Sequence, residues 1–363
     1  MNATVIRPMN SMERTLTALG HQEPDRVPLF LLTTLHGAKE VGLSIEDYFA
    51  NSNNVVEGQM RLLKKYRGDC LYPFFYASIE TEAWGGDTIF LPDGPPLCGA
   101  PVIHSPEDID RLQAPCVQAS AGLVRVLETI RELKLRVGDT VPIVAVAISP
   151  FALPVMQMGF DNYIQLLYEQ PDRFERLMQI NESFTVEWAN AQLAAGATAI
   201  CYFDPVSSPT NIPRELYLKT GQQVAKRTLA QIKGPTATHM ASGRALPIMA
   251  DIADTGTAVV GVSVLEDMGQ LKAAAAGRVS LLGNLNGIEM RHWTQEEAEI
   301  QVKSVIAKAG RGGGLLLGDN HGEIPWQVPE EVLLAIGDAV ERWGRYPLDW
   351  IDDPMMCGSA CES

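Results

Sequence analysis

Apolar residues recur along the chain in two patterns: short runs that are almost wholly apolar, and longer stretches in which they return every third or fourth position. The first pattern marks strands buried on both faces, and the second marks amphipathic helices. The short runs lie at 29–32, 69–76, 141–148, 198–203, the stretch ending at His239, 258–265, 279–282 and 312–317. Helical spacing predicts helices over 10–19, 45–66, 119–137, 161–195 with a break at Pro171, 246–254 and 329–343. Eight buried strands separated by helices predict an α/β chain folded as a single (β/α)8 TIM barrel.

Two departures from the repeat add detail. The helix over 10–19 precedes the first strand and is an N-terminal helical extension. The Pro- and Gly-rich stretch from Gly85 to Pro115, with Leu91-Pro-Asp-Gly-Pro-Pro96 and Ser105-Pro-Glu-Asp108, predicts a hairpin-like insertion followed by a capped helix start. The barrel is expected over 1–350 and a flexible tail over 351–363.

Composition narrows the class. The chain has 363 residues, 46% of them hydrophobic, and a net charge of −15. That balance argues against a nucleic-acid partner, which would need clustered Lys and Arg. Neither a membrane-length apolar run nor a signal-peptide pattern is present, which predicts a soluble cytoplasmic protein without a membrane partner. The six cysteines are scattered, as expected of reduced thiols, and the Cys357–Cys361 pair reads as part of a frayed terminus.

In a (β/α)8 barrel the residues just past each strand gather around one pocket. Those positions hold Thr34, His36, Tyr76, Glu82, Ser149, Asp204, His239, Glu266, Asn284, Asp319 and His321. His239, at a strand-to-helix turn closed by Gly243, is the first catalytic candidate, with His321 and Asp204 beside it. Thr34, His36, Tyr76, Glu82, Ser149 and Asn284 are candidates for substrate binding. Met156, after the strand ending at Ile148, either floors an apolar pocket or packs in the core. The aromatic group Tyr72, Phe74, Phe75 and Tyr76 is expected to divide between core and pocket.

Several segments resemble the uroporphyrinogen decarboxylase superfamily: Met12-Glu-Arg-Thr-Leu-Thr-Ala-Leu-Gly20, Pro24-Asp-Arg-Val-Pro28, Ala194-Ala-Gly-Ala-Thr-Ala-Ile200 with Asp204-Pro205, Thr238-His239 closed by Gly243, Leu282-Gly-Asn284, and 314–329. The resemblance spans nearly the whole chain and implies the same barrel. True decarboxylases of that family carry an Arg-Gln-Ala-Gly-Arg type loop near the first strand, which grips substrate carboxylates. Here the matching region, Leu31-Leu-Thr-Thr-Leu-His36-Gly37, contains no Arg. Val41-Gly-Leu-Ser-Ile-Glu-Asp-Tyr48 and Ile79-Glu-Thr-Glu82-Ala-Trp-Gly85 look more like the cobalamin-dependent methyltransferase branch.

That branch implies methyl transfer between a small substrate (a methoxyarene, methylamine or thiol) and a cobalamin held by a partner corrinoid protein. A decarboxylase and a non-catalytic ligand-binding barrel are the alternatives. Thiol-using members of the branch bind zinc through His-x-Cys and a later Cys, and the metal deprotonates the substrate thiol. His239 matches the histidine, but Ala241 stands at the first cysteine and Asp319-Asn-His321-Gly-Glu-Ile-Pro325 occupies the region of the second. Either a remodelled zinc site uses His239 and His321 with Asp319 or Glu266, or no metal is used and His239 or His321 acts as a general acid.

Overall fold

A computed structural model describes residues 8–320 and 322–353. His321 and the tail from 354 onward, including Cys357 and Cys361, lie outside the described residues. The strands are β1 (Leu29–Phe30), β2 (Thr88–Ile89), β3 (Leu97–Cys98), β4 (Val144–Ile148), β5 (Ala199–Phe203), β6 (Thr236–His239), β7 (Val259–Gly261), β8 (Ser280–Leu285) and β9 (Leu315–Asp319). Seven of them form one parallel sheet in the order β1-β9-β8-β7-β6-β5-β4.

The gap between β4 and β1 is filled by the segment expected as the second strand. It makes one parallel bridge, Leu71 to Ile143. The Leu71 N–H donates to Pro142 O and the Val144 N–H to Leu71 O, both at 2.9 Å, while the Asp69 N–H donates to Leu29 O at 2.8 Å. The curled sheet therefore closes through 69–72, and the TIM-barrel architecture expected from the sequence is present. Apolar packing divides into two clusters. One lies between strands and helices, and the other, with Phe30, Tyr72, Val146, Cys201, Val259 and Leu316, lies inside the barrel.

Local signals explain the surrounding elements. The helix Ser11–Leu19 starts with a capping box between Asn10 and Glu13. The helices Phe160–Glu169 and Pro171–Ala195 are separated at Pro171, which occupies the first turn of the second. The insertion holds the antiparallel hairpin β2–β3, and Ser105 caps a short 3-10 turn at Pro106–Asp110. The helix expected over 45–66 is instead two, Ile45–Phe49 and Ser52–Tyr66, because the extended Asn51 caps the second with its side chain. Helices at Arg214–Lys219, Gly221–Leu229, Met268–Ala275 and Gln295–Ala309 complete the outer layer without having been read from the spacing. Gly312, Gly313 and Gly314, at φ 74°, 67° and 70°, form the turn into β9, a conformation that L residues adopt at a cost.

Closure depends on a buried charge cluster. The Asp69 carboxylate accepts from Arg14 Nη1 (2.6 Å), Ser11 Oγ (3.0 Å), Arg26 Nη1 (2.6 Å) and the Leu29 backbone N–H (2.9 Å). Arg14 also makes a bidentate pair with Asp25, and Arg26 Nε reaches Glu341 at 2.8 Å. Breaking a buried pair from one side typically costs about 3–5 kcal/mol, because the other charge stays buried. Asp69→Asn is expected to lose a stability of about that size in urea denaturation; an unchanged midpoint would refute the cluster's role in closure.

Candidate active site

A cavity of about 450 Å³ runs through the barrel. Its mouth lies at the C-terminal ends of the strands, at Phe203, His239, Asp319, Gly322 and Glu323, under the hairpin residues Pro95 and Pro96. Its floor is the helix Ser11–Leu19, through Met12, Thr15, Leu16 and Leu19. None of the described residues lining it is Lys or Arg. Tyr72, Phe74 and Tyr76 line it, while the intervening Phe75 is fully buried in the outer core, against which Tyr76 also packs.

His239 ends β6 and is buried at the mouth. Its ring lies 5.6 Å from that of Phe203, and a Cβ on neighbouring Gly261 would come within 2.5 Å of His239 Cδ2, so the absence of a side chain at 261 makes room for the imidazole. The Ala241 N–H donates to Nδ1 at 3.0 Å. A backbone N–H can only donate, so Nδ1 accepts and the neutral ring carries its proton on Nε2. An Nε2 that keeps its proton is a hydrogen-bond donor and has no lone pair for a metal.

Two acids complete the polar mouth. Asp319 Oδ1 accepts from the Leu32 N–H at 2.9 Å, and Glu323 Oε1 accepts from the Leu35 N–H. Burial raises the Asp319 carboxyl to about 7. Burial, with the nearby charge of Asp319, raises Glu323 to about 8. Both retain protons near neutrality. Glu323 was not singled out from the sequence, although it stands four residues beyond Asp319 in the same loop; an irregular loop has no period from which to read which side chain turns inward. Tyr76 lines the cavity, and burial together with the adjacent Glu82 raises its phenol.

The other expected site residues that the structure describes are not among those lining the cavity. Asp204, whose carboxyl burial raises to about 6, accepts from Ser149 Oγ at 2.7 Å and from Ser207 Oγ, a knot that ties the ends of β4 and β5. Asn284 donates to Ser263 O and Glu266 O at 2.9 and 3.1 Å. Glu266 accepts from the Ala245 and Leu246 N–H groups, both at 2.8 Å, and so braces the loop after β6. His36 lies 3.1 Å from Pro325 O through Nε2, and burial lowers its pKa to about 4. Thr34 is buried, Glu82 accepts from Thr88 Oγ1 at 2.6 Å, and Met156 packs on the outer core.

Among the described residues, which leave out His321, the donor set does not fit zinc. Glu266 is committed to backbone N–H groups, Ala241 replaces a thiolate, and the His239 tautomer is wrong for a ligand. No cluster of three His, Cys, Asp or Glu that could hold a metal occurs among the described residues. Cys70, Cys98, Cys116 and Cys201 are free thiols, and Cys201 lines the cavity with its pKa raised to about 12 by burial. No described helix is long and apolar enough to cross a membrane.

An α/β barrel with a deep cavity at the C-terminal ends of its strands defines a barrel enzyme as the class. The family description "Uroporphyrinogen decarboxylase (URO-D)" matches residues 10–343, and the chain belongs to that family. The uroporphyrinogen decarboxylase of Coxiella burnetii is 25% identical over 356 residues, covering 91% of this chain and 95% of the relative. That of Methylococcus capsulatus is 26% identical over 337 residues, covering 87% and 94%. Among solved structures, a methyltransferase from Methanosarcina mazei matches with a TM-score of 0.82 at 20% identity, over 92% of this chain and 99% of that one. At such identity the likeness shows a shared fold.

The raised carboxyls have a consequence for stability. Between pH about 4 and 7 folded Asp319 keeps a proton that the unfolded chain releases, so its contribution to stability falls as pH rises through that window. Asp319→Asn keeps the acceptor for Leu32 and removes the titration. The variant's Tm is expected to decline less than the wild type's between pH 4.5 and 7.5 in thermal scans; parallel curves would contradict the assignment.

Proposed function

We propose that this chain is a methyltransferase of the corrinoid-dependent branch, taking the methyl group from an uncharged methyl ether of the methoxyarene type. The observation that carries this reading is the cation-free, apolar cavity whose polar groups are proton donors near neutrality. A polyanionic tetrapyrrole would meet two carboxyls where it needs guanidinium groups. A thiol substrate would need a metal to deprotonate it, and the described residues do not form a donor set for one. A neutral ether needs only a fitted apolar slot and a proton for its leaving oxygen.

The mouth is rimmed by Tyr76, Ala77, Pro95 and Pro96, an apolar edge that suits the flat face of a corrin brought by a partner corrinoid protein. The cobalamin, when bound, supplies the nucleophile that takes the methyl carbon. His239 holds the ether oxygen through Nε2–H. The Asp319–Glu323 pair delivers a proton to that oxygen as the carbon–oxygen bond breaks, so that the product leaves as a phenol. The apolar walls keep water from the reacting atoms.

Cob(I)alamin methylation is to be followed with a panel of methoxyarenes, methylamines and thiols, alongside carbon dioxide release from uroporphyrinogen. Methoxyarenes are expected to react and uroporphyrinogen to give none; the reverse would overturn the reading. Because a positioned donor contributes about 10²–10⁴-fold, His239→Ala should lose at least ~10²-fold in rate, and a loss under about tenfold would remove His239 from the chemistry. The rate should also be sustained below pH 7 and fall as pH rises through about 8, where the acid pair gives up its protons. A rate still rising past pH 9 would refute the acid role.

A further inference from the structure

The cavity is deeper than the transfer of a methyl group requires. Thr198 and Phe203 both line it, and they stand at the entry and exit of the same strand region. That separation is about 16 Å of strand, or roughly 13 Å along the axis at the tilt usual for such barrels. An ordinary barrel interior is closed by layers of bulky branched side chains. Here the row paired across the sheet at mid-height is Val146, Cys201, Ala237 and Val259, two of which are small. The deep end also makes no polar demand. Thr15 Oγ1 donates to Ser11 O at 2.7 Å, and Thr198 Oγ1 accepts from the Ile143 N–H at 3.1 Å. The carboxyls and the imidazole line the mouth, and at the floor Leu16 is 58% exposed, so the apolar path runs to the opposite surface.

We propose that the lower barrel is a binding site for an extended apolar tail, so that the substrate is an uncharged methoxylated ring carrying a linear alkyl chain. The ring sits at His239, Asp319 and Glu323, and the chain passes Ala237 and Cys201 toward the floor helix. The identity of the head rests on the methyl-ether reading above; the tail site rests on the cavity alone.

Isothermal titration of the full chain, without corrinoid, with 4-alkyl-2-methoxyphenols from methyl to heptyl tests this. Each methylene buried should tighten binding about fourfold, the equivalent of ~0.8 kcal/mol, until the chain reaches the floor. Ala237→Phe, which fills the mid-height row, should flatten the series. Leu16→Asp, at an exposed position, should weaken the heptyl member at least fivefold and the methyl member little. A wild-type affinity independent of chain length would overturn the proposal, as would a slope unchanged in a folded Ala237→Phe protein. If that variant does not fold, equal heptyl binding by wild type and Leu16→Asp overturns it. A steep series without methylation of cob(I)alamin would uphold the tail site while defeating the methyl-ether reading.

Discussion

The Asp69 carboxylate is the constraint on which the barrel depends. The segment that carries it makes only one bridge to β4 and does not run as a full strand, so the backbone ladder alone does not close the ring. The backbone bonds of 69–72 are completed by a side chain that accepts the Leu29 N–H at the start of β1 and draws in Arg14 and Arg26. Arg14 belongs to the floor helix and Arg26 reaches Glu341 in the helix Glu330–Trp343, so one buried acid fixes three parts of the molecule to one another. A buried ion cluster is a weak source of net stability but a strong selector of arrangement, since any partner left alone is heavily penalised. The segments around Arg14 and Pro24–Pro28, which carry the family resemblance at the N-terminus, thus serve architecture more than chemistry.

The floor that this cluster seats makes the interior possible. If a void of about 450 Å³ were closed and dry, it would cost on the order of 10 kcal/mol at ~24 cal/mol per Å³, comparable to the whole net stability of a domain. An interior of that size is kept only where solvent or ligand fills it. Its residues are chosen accordingly: Gly261 yields space to the His239 ring, and Ala237 and Cys201 leave the mid-height row unfilled. The helix Ser11–Leu19 then sets the depth of the cavity, and the hairpin limits its mouth. Gln327 Nε2 donates to Asp93 O at 2.8 Å, tying the hairpin to the loop that carries Glu323.

The barrel was legible because buried strands need unbroken apolar runs and helices need a stripe, and both signals are local. Pro171 and the hairpin insertion follow from backbone rules that operate within a few residues. The site was legible only as a face. A position just past a strand says which end of the barrel a residue occupies, not whether its side chain turns inward or back to a neighbouring loop. Ser149, Asp204, Asn284 and Glu266 stand at the right end, yet their polar atoms are taken by one another's loops. His239 and Asp319 stand at the same end and line the cavity. The difference lies in hydrogen bonds between segments far apart in sequence, to which no periodicity points.

The loop after β1 shows how the site's electrostatics follow from those long-range bonds. The stretch 31–37 contains no Arg, and Leu32 and Leu35 in it give their backbone N–H groups to Asp319 and Glu323. Each acid is thereby pinned by a backbone N–H of that loop. Burial holds a proton on each near neutrality, and the ionised form of either acid makes ionisation of the other harder. An anionic ligand would suppress their ionisation further and gain no countercharge, whereas a neutral ligand meets ready donors. The stretch after β1 that contains no Arg is therefore also the one whose backbone holds the two acids in place.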